Sequence, residues 1–409
     1  MTRCHVGVGM YGVVLAAGQG TRMRPLTDRR PKPLLPAAGR PLVEHVLDAC
    51  IDVVDEFVVV IGYRGTDVIE RLGDAYRGTP ISYVEQADPA GTAHAIEQAR
   101  EVVDDRFVVL NGDVLVDPAL PASLAAADGT AIATTPVEDP RSYGVVSVDD
   151  DGSMASIVEK PDEPPTNLAN VGCYAFEPAV FEYIDRTEQS ERGEYEITDT
   201  LDLLLSDGHD VSVVEYEGRW LDVGRPWELL RANELLLEEV ERDVRGSVAA
   251  GAQLEGAVVV EEGATVRDDV HIEGPVVILS GAEVGPNAYI RGATVVGPDA
   301  HIGHAVEVKN SILMAEAAVP HLSYVGDSVL GRDVNLGAGT KVANLRHDDT
   351  SVRMTVKGDR VDTGRRKLGV VLGDGVKTGI NVSLNAGVKV GTEAGIRPGE
   401  TVMRDVGGE

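Results

Sequence analysis

The sequence is poor in cysteine, in lysine and in long apolar runs. Its three cysteines, Cys4, Cys50 and Cys173, are scattered and odd in number. This excludes a disulfide framework and a cysteine-based zinc site, and predicts a reducing, cytoplasmic setting. No stretch approaches the roughly 18 consecutive apolar residues of a membrane helix. Met1–Gly9 lacks the apolar core of a secretory signal, so no membrane partner is expected. Only eight of the 37 basic residues are lysine, against 67 acidic ones, and the net charge is −30. A chain this acidic repels nucleic acid and anionic lipid alike. Self-repulsion on that scale weakens a compact state unless salt screens it, and at 1 M salt the Debye length falls to about 3 Å. A carboxylate-rich, lysine-poor surface therefore predicts a halophilic protein.

What is present divides the chain by texture. With 43% hydrophobic residues over 409 positions, two or three domains fit. As far as residue 230 or so, short apolar runs alternate with amphipathic stretches. Gly12–Ala17, Glu56–Gly62 and Arg106–Asn111 read as strands, and Pro41–Val53, Thr66–Tyr76 and Gly91–Val103 as helices. This alternation predicts an α/β, Rossmann-like domain with a largely parallel sheet. Trp227–Val244 reads as one amphipathic helix joining this domain to the C-terminal part of the chain. The predicted division is 11–228, a connecting helix over 229–246, and a second domain over 247–409.

After Gly246 glycine becomes frequent and a six-residue period sets in. Every sixth residue from Val248 to Met314 is apolar, and a second series two residues earlier, Ala252 to Ile312, is small or apolar. The phase is expected to slip near Pro320. A hexapeptide repeat is the mark of a parallel β-helix, with one hexad per flat face and three per coil. Residues 345–367 break the repeat and predict a loop leaving a corner.

Two places carry chemistry. In the first, a strand ends near Ala17 and the chain turns through Gly18 and Gly20, where backbone N–H groups can approach a phosphate. Residues 19–40 hold six basic side chains against Asp28 alone, a local field that favours a polyanion. The run LAAGQGTRMRPLTDRRPKPLLPAAGRPL, from Leu15 to Leu42, resembles the signature of nucleoside-triphosphate sugar-1-phosphate nucleotidyltransferases, and later motifs fall in the matching order. The resemblance covers about residues 11–235. It implies nucleotide contacts at Leu15, Ala17, Gly18, Gly20, Thr21, Gln86, Gly91 and Thr92. It implies a sugar-phosphate pocket at Gly144, Glu159, Lys160 and Asn170, catalytic roles for Arg22 and Lys32, and Mg²⁺ on Asp113 and Asp222. A glutamine amide can pair with both O4 and N3–H of uracil or thymine, so UTP and dTTP both stay open. Glucose-1-phosphate and N-acetylglucosamine-1-phosphate are the implied acceptors.

In the second, Glu307–Asn310, Pro320–Asp327, Asp333–Thr340 and Asn344 interrupt an otherwise scaffold-like repeat. They resemble the acetyltransferase domain of the bifunctional glucosamine-1-phosphate acetyltransferase/uridylyltransferases, and most of all their archaeal forms. The resemblance spans about residues 247–405 and implies a left-handed β-helix. It places the general base on His321, contacts to the amino-sugar phosphate and acetyl-CoA on Arg291, Lys309, Tyr324, Asn335 and Asn344, and an oxyanion donor on the Ala338 N–H. Histidine suits a base near neutral pH. The basic stretch 353–367 suits the phosphates of coenzyme A, although the insertion prevents any contact from being carried over there. The resemblance also implies a homotrimer or a dimer of trimers. A β-helix that only oligomerises or regulates a nucleotidyltransferase is the alternative. Met10 reads as the native start, with Met1–Gly9 an extension.

Overall fold

In a computed structural model of the chain, residues 9–150 and 152–407 are described. The reading of Met1–Gly9 as an extension lies outside them, apart from Gly9, and so does Cys4. Backbone contacts group the chain into two units. The first holds the chain up to Gln19, Pro31–Leu34 and Leu42–Asp222; the second holds Gly20–Arg30, Leu35–Pro41 and Val223 onward.

The first unit is built on a ten-stranded sheet. Tyr11–Leu15 lies at its centre, parallel to Glu56–Ile61 on one side and Phe107–Asn111 on the other, and Thr79–Glu85 continues in parallel beyond Glu56–Ile61. These strands are Val-rich because both faces are covered. Val14, Val59 and Leu110 enter one apolar cluster, while Val13, Val58, Val60 and Val109 enter another. The other half of the sheet is mostly antiparallel: Leu168–Phe176 pairs with Phe107–Asn111 and Gly144–Val148 with Met154–Glu159, while Val211–Glu215 runs parallel to Thr130–Pro136. The sheet is therefore mixed, where sequence alternation predicted a largely parallel one. The helices are shorter than their amphipathic stretches: Leu42–Cys50, Gly65–Leu72 and Thr92–Glu97. Ala75–Tyr76, expected to be helical, forms a short strand after Gly73 (φ 69°) ends the helix.

In the second unit the joining helix runs only over Pro226–Leu237, not to Val244. The acidic residues just beyond Leu237 sit badly against the negative end of a helix dipole, and Asp243–Val244 instead pairs with Val259–Val260 as the first solenoid strand. From there three families of short parallel strands stack coil on coil, as the hexad pattern requires. The interior column includes Val260, Val266, Ile272, Ile278, Val284, Ile290, Val296, Ile302 and Val308.

The phase slips earlier than Pro320. Val296 registers with Leu313, one residue short of Met314, and the next coils keep this shorter repeat, Val308 with Val325 and Leu313 with Leu330. Leu313 therefore fills the interior, and Met314 turns its sulfur to Arg30 Nη1 at 2.7 Å. The insertion is also more ordered than a loop. Arg353–Val356 and Asp359–Asp362 form an antiparallel hairpin, and Val352 and Met354 on it are buried.

Candidate functional sites

The carboxyl ends of Tyr11–Leu15 and Phe107–Asn111 lie side by side, Leu15 opposite Asn111. Here the chain order reverses, which is where open α/β sheets bind ligands. Past Leu15 the chain runs through buried Ala17 to exposed Gly18, where an added Cβ would meet open space. Past Asn111, Gly112 donates its N–H to Leu15 O at 2.8 Å and delivers Asp113 to this end of the sheet. The strand Trp220–Asp222 pairs antiparallel with Val114–Val116, setting Asp222 opposite Val114, next to Asp113. Two aspartates distant in sequence thus come to nearby backbone positions, and Lys32 forms an ion pair with Asp113. Among the described residues no group of three or more metal-ligating side chains exists. A pair of carboxylate oxygens fits Mg²⁺, which is usually held by one or two carboxylates while phosphates and water complete its shell.

Gln86 is buried, and its amide nitrogen donates to Gly91 O at 3.2 Å and lies 3.0 Å from His94 Nδ1. Gly91 has φ 114°, and a Cβ there would meet the Tyr195 backbone at 2.4 Å. That close approach lets Ala93 N–H bond Tyr195 O and Tyr195 N–H bond Ala90 O, so Thr92 can start its helix against the 193–196 segment. Across the sheet, Gly144 pairs with Glu159. Lys160 and Arg192 share Glu159 Oε1 at 2.7 and 3.2 Å, and Arg192 also reaches Glu196 at 2.7 Å. Burial pushes the Glu196 carboxyl above its ordinary value, and Arg192 partly offsets this. Asn170 donates to the Tyr174 hydroxyl at 2.8 Å and accepts from Gly172 N–H. Sequence reasoning misses Arg192, which holds both Glu159 and Glu196.

In the second unit, Gly20 (φ 62°) opens a short 3₁₀ turn over Thr21–Met23. Arg22 lies against Gly224, its Nη2 3.1 Å from where a Cβ would stand. Most of the basic island around it is already paired. Arg24 meets Asp28, Arg29 meets Glu393, and Arg30 meets Asp374. The Lys389 ammonium donates to Arg24 O at 3.3 Å, and burial lowers its pKa. The charge count of 19–40 therefore overstates the field left for a ligand.

On the solenoid, Arg291 and Lys309 occupy one column of successive coils, as do Tyr289, Glu307 and Tyr324. Arg291 is paired with Glu307 at 2.8 Å and Lys309 with Asp327 at 3.0 Å. Burial alone would lower the Arg291 pKa, but the hydrogen bond and charge of Glu307, with Tyr289 and Tyr324 beside it, together raise it. Asn344 Nδ2 donates to the Tyr324 hydroxyl at 3.1 Å and to Asp327 at 2.6 Å, and burial raises the Tyr324 pKa. These four residues form one polar patch. His321, Asn335 and Ala338 belong to the neighbouring face and its corner. His321 ends the strand Ala318–His321 in register with His304, and exposed Asn335 bridges to Ala318. The His321 imidazole is exposed and has no hydrogen-bond partner among the described residues. The Ala338 N–H likewise has no acceptor among them, while its carbonyl accepts from Asn381 N–H. Of the second basic island, Arg365 pairs with Glu234 and Arg366 with Asp349, so these two are held within the chain.

Comparison with known proteins finds relatives for both parts of the chain. A nucleotidyl transferase family model matches residues 11–239, and a GMPPB C-terminal domain model matches 272–388. A bifunctional protein GlmU of Methanocaldococcus jannaschii is 42% identical over 91% of this chain and 90% of its own length. A bifunctional sugar-1-phosphate nucleotidylyltransferase/acetyltransferase of Sulfurisphaera tokodaii is 40% identical over 97% and 98%. A low-salt glycan biosynthesis nucleotidyltransferase, Agl11, of Haloferax volcanii is 39% identical over 80% and 94%. A crystal structure described as a glucose-1-phosphate thymidylyltransferase of Bacillus anthracis is 30% identical, with a TM-score of 0.51, and covers 57% of this chain and 97% of its own.

Proposed function

The chain belongs to the nucleotidyl transferase family, and on that premise we propose that it is a bifunctional enzyme. It joins a nucleoside triphosphate to a sugar-1-phosphate, and it acetylates an amino-sugar-1-phosphate from acetyl-CoA. The observation that carries this reading is the presence of two separate polar assemblies, Asp113 with Asp222 and Lys32 in the α/β unit, and Lys309 with Tyr324 and Asn344 on the solenoid. Relatives named for both activities align along nearly the whole chain.

In the first reaction a sugar-phosphate oxygen attacks the α-phosphorus and pyrophosphate leaves, so catalysis is largely positioning and neutralisation of oxygen charge. Lys32, ion-paired with Asp113 in the free chain, neutralises the α-phosphate. Arg22 stabilises the leaving pyrophosphate, while Lys160 and Glu159 hold the sugar phosphate. A Mg²⁺ bound by Asp113 and Asp222 would supply the remaining positive charge. UTP or dTTP serves as donor and glucose-1-phosphate or N-acetylglucosamine-1-phosphate as acceptor. In the second reaction the glucosamine-1-phosphate amine attacks the thioester carbon, His321 takes the amine proton, the Ala338 N–H faces the oxyanion, and the coenzyme A thiolate leaves. The product suits UDP-N-acetylglucosamine synthesis.

The functional division we assign is 11–228, 229–246 and 247–409, acting in a salt-rich cytoplasm as a trimer or dimer of trimers. A second reading keeps nucleotidyl transfer alone, with the solenoid as an oligomerising or regulatory module. The Haloferax relative, named for nucleotidyl transfer only, favours it. The test is a panel of nucleotides, sugar phosphates and amino-sugar phosphates assayed in high salt for pyrophosphate and free-thiol release. Thiol release with glucosamine-1-phosphate or galactosamine-1-phosphate supports the bifunctional reading; its absence with both leaves nucleotidyl transfer alone.

A further inference from the structure

Asp327 is the most enclosed carboxylate of the solenoid patch, with a side chain 3% exposed. Its two oxygens receive four donor contacts. Oδ1 accepts from Lys309 Nζ at 3.3 Å and Asn310 Nδ2 at 2.8 Å, and Oδ2 accepts from Lys309 Nζ at 3.0 Å and Asn344 Nδ2 at 2.6 Å. An ionised carboxylate offers about four lone-pair directions, and here every one is used. The backbone is fixed too. Asp327 N–H donates to Lys309 O at 2.9 Å, and its carbonyl accepts from Gly369 N–H at 2.8 Å. Its φ of 51° is one that aspartate tolerates better than most residues.

Around this hub stand the groups assigned to the acceptor. Asn344 passes on to the Tyr324 hydroxyl, and a Cβ at Gly326 would meet that hydroxyl at 2.5 Å and Asn344 Nδ2 at 2.7 Å. Position 326, in register with Lys309, is thus kept bare for the Tyr324–Asn344 contact. The same Asn310 Nδ2 also donates to Glu234 Oε1 of the joining helix at 2.8 Å, and Glu234 is ion-paired with Arg365 of the insertion.

We propose that Asp327 is the positioning residue of the acetyl-acceptor site: it touches no substrate, but it sets Lys309 and Asn344 in the geometry that receives an amino-sugar-1-phosphate. This rests on the acetyl-transfer reading above. A long lysine side chain gives up much rotamer freedom when it is fixed. A buried carboxylate that fixes it before substrate arrives lowers the cost of binding. Asparagine cannot replace it, because its NH₂ would face the donors of Lys309, Asn310 or Asn344.

The experiment uses the full chain in high salt, with wild-type, Asp327→Asn, Lys309→Met and the double variant. Asp327→Asn is expected to raise KM for glucosamine-1-phosphate by about tenfold or more, with kcat and the acetyl-CoA KM within about twofold, the split that marks lost ground-state binding. In the Lys309→Met background the same substitution should add little, since the two act as one unit. Nucleotidyl transfer on the same preparations should stay at the wild-type level. Because Asp327→Asn can disturb folding, Asn310→Gly provides a second arm. It keeps the positive φ, removes one brace, and should raise the same KM by a smaller factor. An unchanged acceptor KM, an additive double variant, or an equal loss of both activities overturns the proposal. A wild-type chain that acetylates neither amino-sugar phosphate overturns the acetyl-transfer reading itself, and is seen before any variant is made.

Discussion

Replacing Asp374 by alanine removes the ion-pair partner of Arg30, the last residue of the Gly20–Arg30 segment that also carries Arg22. Arg30 Nη2 lies 2.5 Å from Asp374 Oδ2, and the two side chains are only 12% and 11% exposed. Burial lowers the Arg30 pKa, and the Asp374 charge opposes that shift. The other Asp374 oxygen accepts Arg332 N–H at 2.9 Å. Removing one partner of a buried ion pair costs about 3–5 kcal/mol because the remaining charge stays desolvated. The lost acceptor for Arg332 adds to the same term. Asp374→Ala should therefore destabilise the second unit by about 3 kcal/mol or more, whereas Arg30→Met with Asp374→Leu together should cost far less than the single change. Salt screens exposed pairs such as Arg29–Glu393, whose side chains are 50% and 67% exposed, but a buried pair much less, so the effect should persist at molar salt. Denaturant titrations of wild-type, Asp374→Ala, the singles Arg30→Met and Asp374→Leu, and their double variant in molar salt measure this. Pyrophosphate release should fall with stability, since Arg22 lies on the same Gly20–Arg30 segment. A loss below about 1 kcal/mol for Asp374→Ala, or a double variant as costly as the summed singles, would refute the reasoning.

Three further outcomes are expected. Asp113→Ala, or a chelator added to wild type, should cut pyrophosphate release by about 10²–10³-fold and leave thiol release from acetyl-CoA intact; both activities are read on one preparation. His321→Ala should do the reverse, losing about 10²–10⁴ in acetyl transfer, the usual worth of a general base, with the melting temperature unchanged because the ring is exposed and unbonded. Burial pushes the Glu234 carboxyl up, but Arg365 and Asn310 outweigh it and hold the group below its ordinary value near 4.5. The folded chain then binds fewer protons than the unfolded one in that window, so this stability is complete above the ordinary value and is lost as pH falls through the folded one. Glu234→Gln should flatten that limb of stability against pH, tracked by unfolding midpoints across the acid range.

Much of this molecule was legible along the chain. The hexad series named the solenoid interior because each coil packs only on its neighbours. Val260, Ile278 and Val296, eighteen residues apart, stack in one register. The one-residue shortening at Leu313 was missed because Met314 is apolar as well, and a period alone cannot tell which of two apolar neighbours turns inward. The helix ends and the antiparallel half of the sheet were missed for a related reason: amphipathic stretches continue past the point where the backbone finds other partners. At the sites, the motif residues were readable but their partners were not. Lys309, Asn344 and Tyr324 were named, whereas Asp327, at the end of the same PHLSYVGD run, was given no role.

The sequence by itself determined the order of the two architectures, the apolar columns within them and the residue types needed for phosphate and amine chemistry. These depend on spacing over a few residues, where backbone geometry dictates the outcome. Only the tertiary structure decided which charges are spent on the chain and which face a ligand. Arg30 goes to Asp374, Arg365 to Glu234 and Lys309 to Asp327, and Asp222 comes beside Asp113 through a strand pairing that no local pattern announces. Coulomb attraction depends on distance and burial in space, so an acidic chain with two basic stretches does not reveal its free cations until it is folded.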